Sequence, residues 1–305
     1  MLSFNNIATN SKDEIVPLLM KSDFFDCNFL WANLCGWQQK YHLSYVIFKA
    51  EESENLIVRE VVDNKTRYII VGHKTTRSLL DALLEDAGDS LVLYSCSAQL
   101  VDQITSLIPN AQITIRQDDG WNDYLYETER LATLTGKRYQ PKRNHVNQFR
   151  TKYPQATIQP LQADDFGNCL ALAKHWMESE LESQGDEQTN SLLEEMRFIE
   201  FAFANFNTLM LEGVTVKVDN ELVAFSFGAP LSSSVFNVCI EKANRDFVGS
   251  YAVVNQVIAQ SVSHRFTYIN REEDLGITGL RHAKQSYYPC SMVEKYEVTI
   301  RNIAR

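Results

Sequence analysis

The chain has 305 residues, 45% hydrophobic and 22% charged, enough for two domains with cores of their own. Its 39 acidic against 29 basic residues give a formal net charge of -10, which argues against DNA binding by the protein as a whole. No apolar run approaches the about 20 residues that cross a bilayer, and the N-terminus lacks a basic region followed by an apolar stretch, so neither a membrane span nor a signal peptide is expected and the location reads as cytoplasmic.

In chain order, a short helix is expected at 15–19, then an aromatic-rich segment at 24–37 in which Trp31 and Trp37 anchor a core. Residues 45–48, 56–62 and 68–71 are rich in β-branched and aromatic types and read as strands, with Asp63-Asn64 turning a hairpin between the last two. Helical periods at 78–84 and 100–108 alternate with strands at 91–94 and 113–115. Residues 121–126 lead to a helix at 128–133, which completes one mixed α/β unit. The second unit opens with a strand at 157–159 and a helix through Met177, with Asp164 and Asp165 at the positive end of its dipole. A polar loop is expected at 179–189 and an apolar-faced helix at 192–206. Strands follow at 209–218, 222–227 and 235–240. The first two meet at Asp219-Asn220, a second Val-Asp-Asn turn that hints at internal duplication. Ser250 opens a helix that buries Val253, Val254, Val257, Ile258 and Val262. A short strand at 268–270, a helix from Gly276 and Gly279 to about Gln285, and a closing strand at 296–300 end the chain. The six cysteines are scattered without a CxxC pair and read as small core residues, so neither a metal site nor a disulfide framework is expected.

Between the halves lies GKRYQPKRNHVNQF, residues 136–149. Extended to Lys152 it carries Lys137, Arg138, Lys142, Arg143, Arg150 and Lys152 and no acid, a local reversal of the chain's sign. Pro141 suits a first helical turn, and a helix to about Arg150 puts Arg143 and Asn147 on one side with Val146 and Phe149 towards a core. Such a helix can form a groove for phosphate, carboxylate or a nucleic-acid backbone; a solvated helix joining two domains is the equal alternative. Further on, a strand ending at Glu241-Lys242-Ala243 runs through a loop into the helix that Gly249-Ser250 opens, which presents free backbone N–H groups to an anion. In the GNAT acetyltransferases such a turn holds the pyrophosphate of coenzyme A. The loop RDFVGSYA, residues 245–252, departs from their RxxGxG/A signature, since Arg245 and Gly249 lie four apart.

The chain more closely resembles the family named after the C-terminal domain of phosphatidylglycerol lysyltransferase. Three stretches carry the resemblance: GKRYQPKRNHVNQF, EKANRDFVGSYAVVNQ at 241–256, and YINREEDLGITGLRHAKQSYYP at 268–289. It covers the second half well and the first half loosely. It implies an α/β (α+β) protein of two tandem GNAT-like domains with a cleft between them, their mixed, largely antiparallel sheets flanked by helices. Residues 1–126 would form the first domain, 127–153 a basic linker region, and 154–305 the second domain with the main motifs. The resemblance also implies kinship with Fem-type aminoacyltransferases, which move an aminoacyl group from charged tRNA to an amine. In the lipid-modifying members the acceptor is the glycerol hydroxyl of phosphatidylglycerol. This chain departs from the lysyltransferase in having no membrane-spanning domain and in being acidic where a tRNA-binding surface is broadly basic. The expected reaction is aminoacyl transfer from aminoacyl-tRNA to a lipid head group or small acceptor. The alternatives are an acyl-CoA-dependent N-acyltransferase acting on a small amine and a non-catalytic protein that binds a phosphorylated ligand.

On this reading Arg143, with Lys137 and Lys142, holds a phosphate of the lipid or of the tRNA end, and Asn144, His145 and Asn147 offer it hydrogen bonds. For His145 an interdomain hydrogen bond is the competing role. Glu272 or Asp274, just past Asn270 and Arg271 at a strand end, recognises the ammonium of an aminoacyl group or acts as a general base. Equally, one of them pairs with Arg271 or Arg281 to brace the loop. Glu241 is a third acid/base candidate, or an ion-pair partner of Lys242. Gly249 and Ser250 offer loop N–H groups, while Tyr251 and Asn255, one helical turn apart, can both face the cleft. Arg281, Lys284 and Tyr287, at intervals of three, form a second anion-binding face. No Ser/His/Asp or Cys/His arrangement supports covalent catalysis.

Overall fold

The computed structural model describes residues 2–50, 53–183 and 189–301. The chain starts with β1 (Asn5–Asn6) and α1 (Lys12–Leu19), followed by two short helices, α2 (Trp31–Gly36) and α3 (Gln38–Tyr41). An antiparallel meander follows, of β2 (Ser44–Ala50), β3 (Ser53–Val62) and β4 (Lys65–Val71). Asp63 and Asn64 both take positive φ, 50° and 60°, the primed hairpin turn that matches the twist of paired strands. Helices α4 (Arg77–Ala87) and α5 (Ala98–Leu107) bracket β5 (Ser90–Cys96), and β6 (Gln112–Gln117) comes next. Thr76 and Ser97 cap the two helices by accepting from Leu79 N and Leu100 N.

The chain continues through β7 (Asp123–Glu127), α6 (Thr128–Thr133) and the basic helix α7 (Gln140–Lys152). Then come β8 (Thr157–Pro160), α8 (Phe166–Ser183), α9 (Thr189–Ala204) and the strands β9 (Glu212–Val218), β10 (Glu221–Pro230) and β11 (Val235–Ala243). Of the polar loop expected at 179–189, residues 179–183 instead continue α8 and Thr189 begins α9, while 184–188 lie outside the described residues. Asp219 and Asn220 repeat the positive-φ hairpin between β9 and β10, at 51° and 67°. The last elements are α10 (Ser250–Val262), β12 (Tyr268–Asn270), α11 (Thr278–Gln285), β13 (Ser291–Val293) and β14 (Tyr296–Arg301).

These elements form two compact units. One takes the described residues up to Tyr124, with Glu272–Arg281 and those from Met292 on; the other is Leu125–Arg271 with His282–Ser291. The basic helix α7 is therefore counted with the second unit and does not stand apart as a linker. Both sheets are mixed, largely antiparallel and flanked by helices. The first unit's sheet runs β1-β2-β3-β4-β5-β14-β6. The closing strand thus inserts between β5 and β6, although its place in the sequence assigns it to the second domain. Its Val298 and Ile300 are fully buried with Ile57, Tyr68, Leu79 and Leu91 in the first unit's core, which is the physical reason for its position.

The second sheet runs β13-β7-β12-β11-β10-β9-β8. Helix α10 packs across β9, β10 and β11 and against α6 and α7. Phe166, Phe203, Phe225 and Phe227 fill the space on the α8 and α9 side, the first two rings stacking at 4.5 Å. Gly249, just before α10, has φ 91°, and a Cβ there would lie 2.4 Å from His145 O of α7. That glycine serves helix packing: any side chain would push the α7 backbone away.

In the first unit, Asp274 is fully buried and accepts from Arg281 Nε and Nη2 at 2.7 and 3.1 Å, the Tyr124 phenol at 2.6 Å and Gly276 N at 2.8 Å. These donors, Arg281 first, lower its pKa from 3.8 to about 2. A folded pKa below the unfolded one means the stabilisation is complete above the unfolded value and is lost as pH falls through the folded one. Urea denaturation of the unmodified chain should therefore show about 2 kcal/mol lost between about pH 5 and pH 2. Asp274→Asn should lack most of that slope, and parallel profiles would contradict the assignment. Gly249→Ala should cost about 2 kcal/mol or more, for both positive φ and the close approach of α7. A change within about 0.5 kcal/mol would show that α7 is not held there.

Candidate functional site

In the second unit, β11 and β12 run parallel but pair only at Val235 with Tyr268, Phe236 with Ile269 and Asn237 with Asn270. β11 continues beside β10 to Ala243, while the chain leaves β12 after Asn270. The two strands part in mid-sheet, and beyond Asn237 no strand among the described residues pairs with β11 on that side, which leaves a notch. Such strand-end crevices are where open α/β sheets take ligands.

Glu241 comes from the part of β11 that pairs with β10 but not with β12, and Arg271 follows β12 directly. Their side chains meet at 3.0 Å between Arg271 Nη2 and Glu241 Oε1, 12% and 13% exposed. Asn255, on α10, donates to Glu241 Oε2 at 3.1 Å, so both carboxylate oxygens are engaged. The Arg271 guanidinium lies 5.1 Å from the Tyr287 ring centroid and 5.7 Å from that of Tyr126. Lys142, from α7, sets its ammonium 4.1 Å from the Tyr287 ring centroid. Lys284 Nζ donates to Arg271 O at 2.6 Å, and the Tyr126 phenol donates to Lys284 O at 2.8 Å.

Lys142, Arg271 and Lys284 thus gather at the notch, and Glu241 holds the Arg271 guanidinium. Burial, and then the charge of Arg271, pull the Lys142 pKa down. Among the described residues Lys142 forms no ion pair, and the buried atoms Arg271 Nη1 and Asn255 Oδ1 have no hydrogen-bond partner. A buried donor left unmade costs about 1–3 kcal/mol, which an incoming acceptor recovers. The arrangement therefore offers Arg271 Nη1 and Lys142 Nζ to an anion, with Glu241 fixing the guanidinium.

Of the residues singled out in the sequence, Glu241, Asn255, Arg271, Lys142, Lys284 and Tyr287 come together here, with Asn270 buried at the end of β12. Others do not. The Arg143 guanidinium donates to Leu134 O and, at 2.7 Å, to Gly136 O, closing the end of α6. Lys137, Asn144, His145 and Asn147 are exposed. Lys242 pairs with Glu195 at 2.5 Å and lies 3.2 Å from the Trp176 ring centroid, so it is not the partner of Glu241. Ser250 Oγ donates to Asn244 O at 2.8 Å, and burial pushes the Tyr251 phenol up to about 12. Glu272, Asp274 and Arg281 belong to the first unit, where Glu272 Oε1 accepts from Asn33 Nδ2 at 2.9 Å and Asp274 and Arg281 hold each other.

Sequence reasoning missed Tyr126, which had only the look of a strand residue, and a buried charged cluster in the first unit. In that cluster Lys295 Nζ lies 2.9 Å from Asp26 Oδ1, 2.7 Å from Asp123 Oδ1, 2.5 Å from Glu273 Oε1 and 3.5 Å from Cys27 Sγ. Asp26, Cys27 and Asp123 are close enough together to ligate a metal ion, but the Lys295 ammonium supplies the cation among them. A separation of 268 residues between Lys295 and Cys27 leaves no local spacing to notice.

Among the described residues no helix is long and apolar enough to cross a membrane. A conserved protein of unknown function from Bacteroides thetaiotaomicron has a similar structure, with TM-score 0.91 and 32% identity over 99% of this chain and 100% of its own. A C-terminal domain from Agrobacterium fabrum, assigned to lysylphosphatidylglycerol synthetase, aligns at TM-score 0.66 and 13% identity over 97% and 93% of the two chains. A tandem GNAT protein from the clavulanic acid biosynthesis pathway shares the fold over 100% of both chains, at TM-score 0.50 and 8% identity. The family model described as phosphatidylglycerol lysyltransferase, C-terminal, matches residues 22–299. That span takes in all of the second sheet and all of the first but β1 and the end of β14, and the chain belongs to the phosphatidylglycerol lysyltransferase C-terminal family.

Proposed function

We propose that the chain is an aminoacyltransferase that passes an aminoacyl group from charged tRNA to the glycerol head group of phosphatidylglycerol or to a small acceptor. Family and fold support an acyltransferase. The observation that carries the proposal is the buried Arg271 Nη1 without a hydrogen-bond partner, on a guanidinium that lies by the same Tyr287 ring as the Lys142 ammonium. Such a pair suits a substrate phosphate or the oxyanion of an acyl-transfer intermediate.

The acceptor's hydroxyl oxygen, or its amine nitrogen, bonds to the carbonyl carbon of the aminoacyl ester, and the carbonyl electron pair moves onto oxygen. The bond from that carbon to the terminal ribose oxygen of the tRNA then breaks, and the ribose oxygen takes up a proton equivalent to the one the acceptor loses. Lys142 and Arg271 stabilise the negative charge, and Glu241, itself held by Asn255, keeps the guanidinium aimed. Coenzyme A is the weaker candidate donor. At the turn before α10 the α7 backbone packs on Gly249, and Arg245 pairs with Glu180 at 2.6 Å.

The test is a transfer assay with total tRNA charged with labelled amino acids. Phosphatidylglycerol vesicles and a metabolite extract are offered separately. Label should enter one of the two fractions, and Lys142→Ala should lower transfer about 100-fold. Arg143→Ala removes a helix-end contact and should lower stability while leaving the rate of the folded protein near that of the unmodified chain. Label in the metabolite fraction alone removes the lipid and keeps the chemistry. No transfer by the folded chain, or transfer unaffected by Lys142→Ala, overturns the reading.

A further inference from the structure

The carboxylate of Glu241 holds two side chains at once. Its Oε1 accepts from Arg271 Nη2 at 3.0 Å and its Oε2 from Asn255 Nδ2 at 3.1 Å. Each of those side chains keeps one buried polar atom without a hydrogen-bond partner, a donor in Arg271 Nη1 and an acceptor in Asn255 Oδ1. The Arg271 and Glu241 side chains are 12% and 13% exposed, whereas Asn255 is 1% exposed and so the more deeply placed.

Which end of the Asn255 amide is left over follows from its neighbour. An asparagine amide presents donors at one end and an acceptor at the other, and turning it over exchanges them. Turned over, Asn255 would set Oδ1 against Glu241 Oε2, acceptor against acceptor, so the carboxylate fixes the amide with Nδ2 towards Glu241. Oδ1 is thereby committed to receiving a hydrogen. An ionised oxygen held by Arg271 Nη1 and Lys142 has none to give, so a bare anion satisfies the guanidinium and leaves this oxygen unmet.

We infer that Asn255 is a specificity-determining residue of the notch, its Oδ1 accepting a hydrogen bond from a hydroxyl on the ligand. The ligand class is then an anion that also carries a hydroxyl, such as a polyol phosphate. An ammonium would offer hydrogens too, but Lys142, Arg271 and Lys284 gather here and like charges repel. A neutral hydroxyl meets the acceptor without that cost and leaves the cations to the anionic oxygens. This role rests on the notch being the anion site proposed above, and adds the group that tells hydroxylated anions from plain ones.

Calorimetry on the full chain tests it with glycerol 3-phosphate and n-propyl phosphate, which share a phosphate and a carbon stem and differ in their hydroxyls. Glycerol 3-phosphate should bind about tenfold tighter, as expected for one hydrogen bond. Asn255→Leu should bring the two affinities within about twofold of each other. Lys142→Ala, which removes a cation and keeps the amide, should weaken both ligands about tenfold and preserve their ratio. A purely structural part for Asn255 would instead lower both affinities together and leave the preference in place. Equal binding of the two ligands by the unmodified chain overturns the role of Asn255 while the anion site stands, and this comparison needs no variant to fold. A preference that survives in folded Asn255→Leu also overturns it. Binding of neither ligand by the folded chain overturns both the role and the anion site.

Discussion

Three residue pairs hold β12 against β11, and the candidate site depends on how short that ladder is. Along β11 the half-buried Cys239 and Glu241 alternate with the buried Val238, Ile240 and Lys242. A ladder carried one turn further would fill the edge that Glu241 and Arg271 now share. Because β12 stops at Asn270, the next residue is free to turn its guanidinium back to the neighbouring strand. The break in pairing is thus what places a cation at a strand end, with a carboxylate and an amide to orient it.

Charge then gives the notch its chemistry. The chain as a whole is acidic, yet Lys142, Arg271 and Lys284 gather here. Burying cations without full pairing is costly, and the depressed pKa of Lys142 reflects that cost. Native proteins keep few buried polar atoms unpaired, so Arg271 Nη1 and Asn255 Oδ1, both in the same cluster, are what the proposed anion site rests on. In the first unit three carboxylates, of Asp26, Asp123 and Glu273, converge on the buried Lys295.

Local chemistry was the most legible part of the sequence. The Asp63-Asn64 and Asp219-Asn220 turns require only residues that tolerate positive φ, and both are hairpins of the expected kind. Pro141 and Ser250 stand where the helices begin, and the motifs at 241–256 and 268–289 contain the Glu241, Asn255, Arg271, Lys284 and Tyr287 of the notch. Less legible was which cation of a basic helix faces inward. Lys142 and Arg143 are adjacent and about 100° apart on α7, and only packing decides that Lys142 meets Tyr287 while Arg143 closes α6. Least legible were features made by distant segments. The pattern of β14 fits either sheet, and the partners of Lys295 are scattered along the whole chain.

The most direct measurement of the central claim is side-chain NMR of the chain labelled with ¹⁵N-arginine and titrated with glycerol phosphate, with Arg271→Lys used for assignment. The account expects the Nη–H signals of Arg271 to shift and to become protected from exchange, while those of Arg143, already bonded to backbone carbonyls, stay in place. Binding that moves other arginines and leaves Arg271 unchanged, or no binding at all by the folded chain, would contradict the notch as the anion-reading site.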